Sequence, residues 1–319
     1  MPTDYLLFVH GVNVREANPD HPQYSNQLFQ LIEQTVSPTL QVKNVPLYWG
    51  NVNQGSLKEL TQMFQDSSVW PQMWFPEFRK SQLLQFAGDA ALYISRLIGG
   101  EAVTQLKQQA LNGLKDYEYG RDRLHIVTHS WGTVILFDVL FSNRWLLLPE
   151  QDPGRQSVEA IRRAIFGIAP RAEEGFRLAS MHTMGSPIAL FSLITLAGRD
   201  AEGRSTHDLT PGLVELLKNL YREGQPLPWR NFIHPGDPVA WPLEQVVRRV
   251  VDLERRLDIK DIITKGSGLL ERVVQPFKDS FVALLNGGQA HESYWQNKQV
   301  GTVISKILLD VAEAQASLI

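Results

Sequence analysis

The chain has 319 residues, 43% of them hydrophobic and 20% charged, with a formal net charge of −3. It is long enough to bury a large core and lacks the basic excess that would mark nucleic acid as a partner. Cysteine is absent, which excludes disulfides, thiolate metal sites and a cysteine nucleophile. The opening "MPTDYLLFVHG" has no basic n-region, and nowhere is there a run of about 18 apolar residues, so neither a signal peptide nor a membrane span is expected and a cytoplasmic location is the default.

"YLLFVHG" (Tyr5 to Gly11) is a short apolar run closed by glycine, the pattern of a strand buried on both faces. A helix is expected from Ser25, with Leu28, Leu31, Ile32 and Phe29 inward, followed by a second strand in "VKNVPLYWG" (Val42 to Gly50). "LHIVTHS" (Leu124 to Ser130), "RLASMHTMGSP" (Arg177 to Pro187) and "WRNFIHPGDP" (Trp229 to Pro238) read as the third, fourth and fifth strands. Helical patterns between most of these runs argue for βαβ units and a mostly parallel sheet in one α/β domain spanning 1–319. The final helix has the clearest period, with Val300, Val303, Ile304, Ile307, Leu308 and Val311 on one face.

Two stretches interrupt this scheme, residues 51–120 and 243–287, and both are expected to be helical insertions. The first crowds Trp70, Trp74, Phe75 and Phe78 around two prolines; the second carries Val246, Val250, Leu253 and Leu257 as a stripe backed by arginines. Either could form a lid over an apolar site, although a stripe alone is more often an ordinary buried helix face.

Chemistry concentrates at "THSWG", Thr128 to Gly132, between an apolar strand and an apolar helix. A serine on such a sharp junction is lifted above the sheet, the mechanical basis of a nucleophile elbow, whereas a lone serine there would more often be a cap or turn residue. With "FVHG" closing the first strand, the chain resembles the α/β-hydrolase superfamily, in particular its lipases and esterases. It departs from the G-x-S-x-G pattern at Thr128, which is bulkier than the glycine or alanine a tight turn favours.

The resemblance implies the order nucleophile, acid, histidine along the chain. Of eight histidines, His291 in "GGQAHESYW" is the only one beyond residue 237, and is the expected base. Asp237 in "NFIHPGDPVAW" follows an apolar strand, where catalytic groups of open α/β sheets gather, and "GDPV" is similar to the acid loop of lipases. Its bland alternative is a turn-forming Asp beside proline. The oxyanion donors implied are the backbone amides of Trp131 and Val12, with Gly11 permitting close approach and His10 and Asn13 supporting the loop. "MGSPIALF" (Met184 to Phe191) resembles the segment after the sixth strand of many lipases; Ser186 in it is given no catalytic role.

The implied chemistry is serine acyl hydrolysis by Ser130, His291 and Asp237. No cofactor is called for, and the histidines lack metal-ligand spacing. The aromatic insertion and the basic amphipathic stretch point to lipid or other apolar acyl esters, with peripheral contact to a membrane surface. A short-chain carboxylesterase, thioesterase, acyltransferase or peptidase would share the machinery. A catalytically silent binding module is the rival from another class. Oligomeric state is not written in the sequence.

Overall fold

The computed structural model describes residues 1–12, 14–52, 54–73, 80, 84, 88, 93, 96–168, 174–190, 210–221, 225–252, 254–264 and 290–317. Its centre is a six-stranded sheet, every neighbouring pair parallel, built from β1 (Thr3–Val9), β2 (Gln41–Leu47), β3 (Arg123–His129), β4 (Leu178–Met184), β5 (Leu227–Ile233) and β6 (Leu257–Ile263) in the order β2-β1-β3-β4-β5-β6. The five expected strands are all present, shifted by a few residues. The sixth lies inside the 243–287 stretch expected to be helical. Leu257, assigned to a helical stripe, instead opens β6, and the helix among the described residues of that stretch, α7 (Glu244–Val250), ends seven residues earlier. An apolar residue every third or fourth position fits a strand start as well when the helix breaks between them.

Alternation of side chains along each strand divides the core into two layers. On β1, Tyr5, Leu7 and Val9 enter one cluster while Leu6 and Phe8 enter the other. The first layer is closed by α3 (Arg96–Gly113), α4 (Trp131–Phe141), α5 (Pro153–Ala164) and α6 (Thr210–Leu220); the second by α1 (Asn26–Val36) and α8 (Lys298–Ala316). Leu28, Ile32 and Val36 of α1 and Val300, Ile304 and Leu308 of α8 form that second layer with Phe8, Val127, Met184 and Phe232. Asn297 caps α8, its side chain accepting from the amide of Gln299. Both faces being covered, the strands read as continuous apolar runs.

Between β2 and α3, residues 51–95 include α2 (Gln54–Gln65) and a 3₁₀ turn at Trp70–Gln72, where Trp70 stacks on Phe64. Trp74, Phe75 and Phe78 of the aromatic insertion lie outside the described residues. Helix α2 buries Leu57 and leaves Leu60, Met63 and Phe64 exposed. Among the described residues, no helix is long and apolar enough to cross a membrane.

A buried polar chain crosses the second layer near the amino-terminal ends of the strands. Arg123 grips Asp4 through Nε at 2.5 Å and a terminal nitrogen at 2.7 Å, the same carboxylate accepts from His125 Nε2 at 2.8 Å, and His125 Nδ1 meets Ser180 Oγ at 2.7 Å. Burial alone would raise the Asp4 carboxyl; the bonds from Arg123 and His125 outweigh it and hold the group below its ordinary value. Arg123→Met should therefore leave an uncompensated buried charge and cost about 3–5 kcal/mol. Adding Asp4→Asn should recover part of that loss, read from urea-unfolding midpoints of the two variants.

Candidate active site

The carboxyl ends of β1, β3, β4 and β5 converge on one edge of the sheet, where open α/β sheets place their ligands. Strand β3 ends at His129 and α4 begins at Trp131, leaving Ser130 as the whole junction. Its backbone adopts φ 53° and ψ −130°, a conformation that costs a non-glycine residue about 1–3 kcal/mol and recurs at functional sites. The amide of Ser130 donates to the Met184 carbonyl at 2.9 Å, fixing the turn to β4.

Two glycines make room for this turn. A Cβ on Gly132 would collide with the carbonyl oxygens of His10 and Val9, and one on Gly11 would stand 2.5 Å from Ser130 Cβ and 3.0 Å from its Oγ. The loop after β1 therefore lies directly against the serine, with Val12 next along it and buried. Thr128 is accommodated because its side chain has a place: Oγ1 is 2.8 Å from Thr133 Oγ1 in the first turn of α4, so it ties strand to helix. The tight position of the elbow is Gly132, not residue 128. The Trp131 ring packs in the first core layer.

Asp237 lies four residues past β5, in a turn whose Asp237 amide donates to the His234 carbonyl. Its carboxylate accepts from His291 Nδ1 at 3.0 and 2.9 Å, from the Val239 amide at 2.9 Å and from the Tyr294 hydroxyl at 2.8 Å. Burial pushes this carboxyl up, and the His291 bond, with help from Val239 and Tyr294, more than reverses it, leaving Asp237 below its ordinary value and ionised. An ionised carboxylate only accepts, so His291 Nδ1 carries a proton, and in the neutral ring Nε2 is then the acceptor. Gly185, at φ +56°, clears the space around the pair: a Cβ there would be 2.7 Å from Asp237 Oδ2 and 3.1 Å from His291 Nδ1.

The structure thus brings Asp237 and His291 into hydrogen-bond contact. Ser130 is not bonded to His291. Ser130 Oγ and His291 Nε2 are both buried and, among the described residues, have no hydrogen-bond partner. Two unmet polar atoms of complementary type in a buried site are costly unless something else pairs them. Ser186 has a local task, its Oγ accepting from the Ile188 amide at 3.2 Å. Asn13 lies outside the described residues. Those residues hold no cluster of three or more His, Cys, Asp or Glu side chains able to bind a metal ion.

His10 holds the loop after β1. Its Nδ1 donates to the Gly11 carbonyl at 2.6 Å, its Nε2 accepts from the Trp49 amide at 3.1 Å, and its ring stacks on Trp49. Tyr294, which sequence reading passed over, bridges the site by accepting from the His234 amide and donating to Asp237. Its spacing of three from His291 in "HESYW", one helical turn, was the available signal.

Two outcomes test this arrangement. Gly132→Ala should lose about 1–3 kcal/mol of stability through overpacking, whereas Gly55→Ala, whose Cβ meets nothing within 4 Å, should be near neutral in the same thermal melts. Burial lowers His10 and His129 to about 3 and puts His182 well below its ordinary 6.5. All three are neutral when folded and take up protons on unfolding. Their stabilisation is complete above pH 6.5 and declines as pH falls toward 3, by up to about 1.4 kcal/mol per pH unit for each histidine. Urea midpoints should drop from pH 7.5 to pH 5; an unchanged midpoint would mean these histidines charge in the folded state.

No family model matches the chain. Phospholipase DDHD1 of Mus musculus is similar to it, 26% identical over 206 residues, which covers 53% of this chain and 35% of that protein. The chain thus spans about a third of the length of that curated relative. Among solved structures, phospholipase PlaB from Legionella pneumophila in complex with thio-NAD aligns with a TM-score of 0.24 and 13% identity, over 72% of this chain and 38% of that one. The parallel sheet, with a strained serine at the end of its third strand in chain order, is an α/β architecture of the kind that the resemblance to the α/β-hydrolase superfamily implies, and by sequence the chain is similar to phospholipase DDHD1 over about half of its length.

Proposed function

We propose that the protein is a serine acyl hydrolase that cleaves carboxylic esters of lipids or other apolar acyl substrates. The observation that carries this reading is the pairing of Asp237 with His291 beside a strained elbow serine, with Ser130 Oγ and His291 Nε2 both left unpartnered. Ser130 Oγ attacks the ester carbonyl and His291 Nε2 takes its proton. Asp237 keeps the Nδ1–H tautomer and stabilises the imidazolium that forms. The amides of Trp131 and Val12 receive the oxyanion. His291 then returns the proton to the leaving alcohol, and water releases the acyl group by the same route in reverse.

Lipid as substrate draws support from the similarity to a phospholipase and from the exposed Leu60, Met63 and Phe64 of α2, which suit peripheral contact with a lipid surface. Phospholipid acyl esters are the first substrates to assay. Ser130→Ala should abolish both fluorophosphonate labelling and ester hydrolysis, and Asp237→Asn should slow hydrolysis by about 10⁴-fold by holding the wrong tautomer. Labelling that persists in Ser130→Ala would remove Ser130 from its role.

A further inference from the structure

His129 precedes the elbow serine and is fully buried. Its Nε2 lies 2.7 Å from the backbone carbonyl of His291, and because a carbonyl only accepts, Nε2 must carry the proton. Its Nδ1 is buried with no partner among the described residues. The two imidazole rings stand 4.5 Å apart at 39°, and the His129 ring is flanked by Tyr294 and Trp295. Asp237 fixes the ring of His291, but a ring is only as well placed as the backbone that bears it. That backbone belongs to a segment of the chain far from β3 in sequence, and the bond from His129 joins it to the residue adjoining Ser130.

We propose that His129 is a positioning residue, whose ring N–H clamps the main chain of His291 to the strand carrying Ser130, so that base and nucleophile share one frame. The proposal rests on the hydrolase reading above. The clamp keeps its form over a wide pH range: burial, then the neighbouring His291 ring, disfavours the charged ring and lowers His129 to about 3, outweighing the bond to the His291 carbonyl and the smaller pull of Asp237, which both favour the charged form, with His10 acting in the same direction as burial. A neutral clamp adds no second cation beside the base. It acts through His291 and touches no substrate.

The test compares His129→Gln, which can keep a donor near the Nε2 position, with His129→Met, of similar length but no donor, and His129→Phe, which keeps a ring. All are labelled with a fluorophosphonate in the full chain, each well below its own melting temperature. The Met and Phe variants should lose about 10–100-fold in maximal labelling rate with the probe's binding constant unchanged, and Gln should restore most of it, since misplacement by about 1 Å costs on that order. If Met does not fold, Phe against Gln carries the same comparison. Equal loss in Gln and Phe, or parental rates in Phe, would overturn the clamp while leaving the hydrolase reading intact. Failure of the parent to label at Ser130 would overturn both.

Discussion

Ser130 can hold its left-handed backbone only because the chain around it is stripped of side chains. Gly11 lets the loop after β1 lie on the serine, and Gly132 lets α4 start against the carbonyls of Val9 and His10. Each approach depends on β1 and β3 being neighbours in the sheet. The strain at one residue is therefore balanced by contacts drawn from two strands and a helix, as expected where a surrounding structure over-determines an unfavourable conformation. The rest of the site is arranged around that fixed point, with Gly185 performing the same service for Asp237 and His291.

Burial gives the polar groups of this region their character. Asp4 and Asp237 are both ionised in the interior because each is enclosed by donors, Arg123 and His125 for the one, His291, Tyr294 and the Val239 amide for the other. Three fully buried histidines that bond no carboxylate, His10, His129 and His182, are instead held neutral. Geometry alone distinguishes the two constellations of aspartate, histidine and serine. Asp4, His125 and Ser180 are hydrogen-bonded to one another in turn, with Ser180 also bonded to His182, whose own Nδ1 has no partner among the described residues, whereas in the Ser130 constellation the serine hydroxyl and the histidine Nε2 are themselves the unsatisfied atoms.

Much of this was legible in the sequence because it depends on local pattern. The apolar runs ending in Gly11, Ser130 and Asp237 located three strand ends, and the order of residues along the chain picked out Asp237 and His291, which the structure joins. Strand β6 was missed because its apolar residues continue the spacing of the short helix before it, and only tertiary pairing with β5 distinguishes the two. The roles of Gly185, Tyr294 and Thr128 were missed for a related reason. Each is defined by what lies across the fold from it, and Thr128 looked too large for the elbow until its hydroxyl was found on Thr133.

The all-parallel sheet has a consequence for the order of events during folding. Every strand pair in it requires a crossover, and one of its interior pairs, β1 with β3, joins residues more than a hundred positions apart; contacts of this kind close late, after their loop entropy has been met. Because Gly132 rests on the end of β1 and His129 bonds the main chain of His291, the elbow cannot take its final shape in a partly built sheet. A newly made chain would carry all of the site's side chains yet present none of them in register, so the reactivity proposed for Ser130 would report on completion of the whole fold.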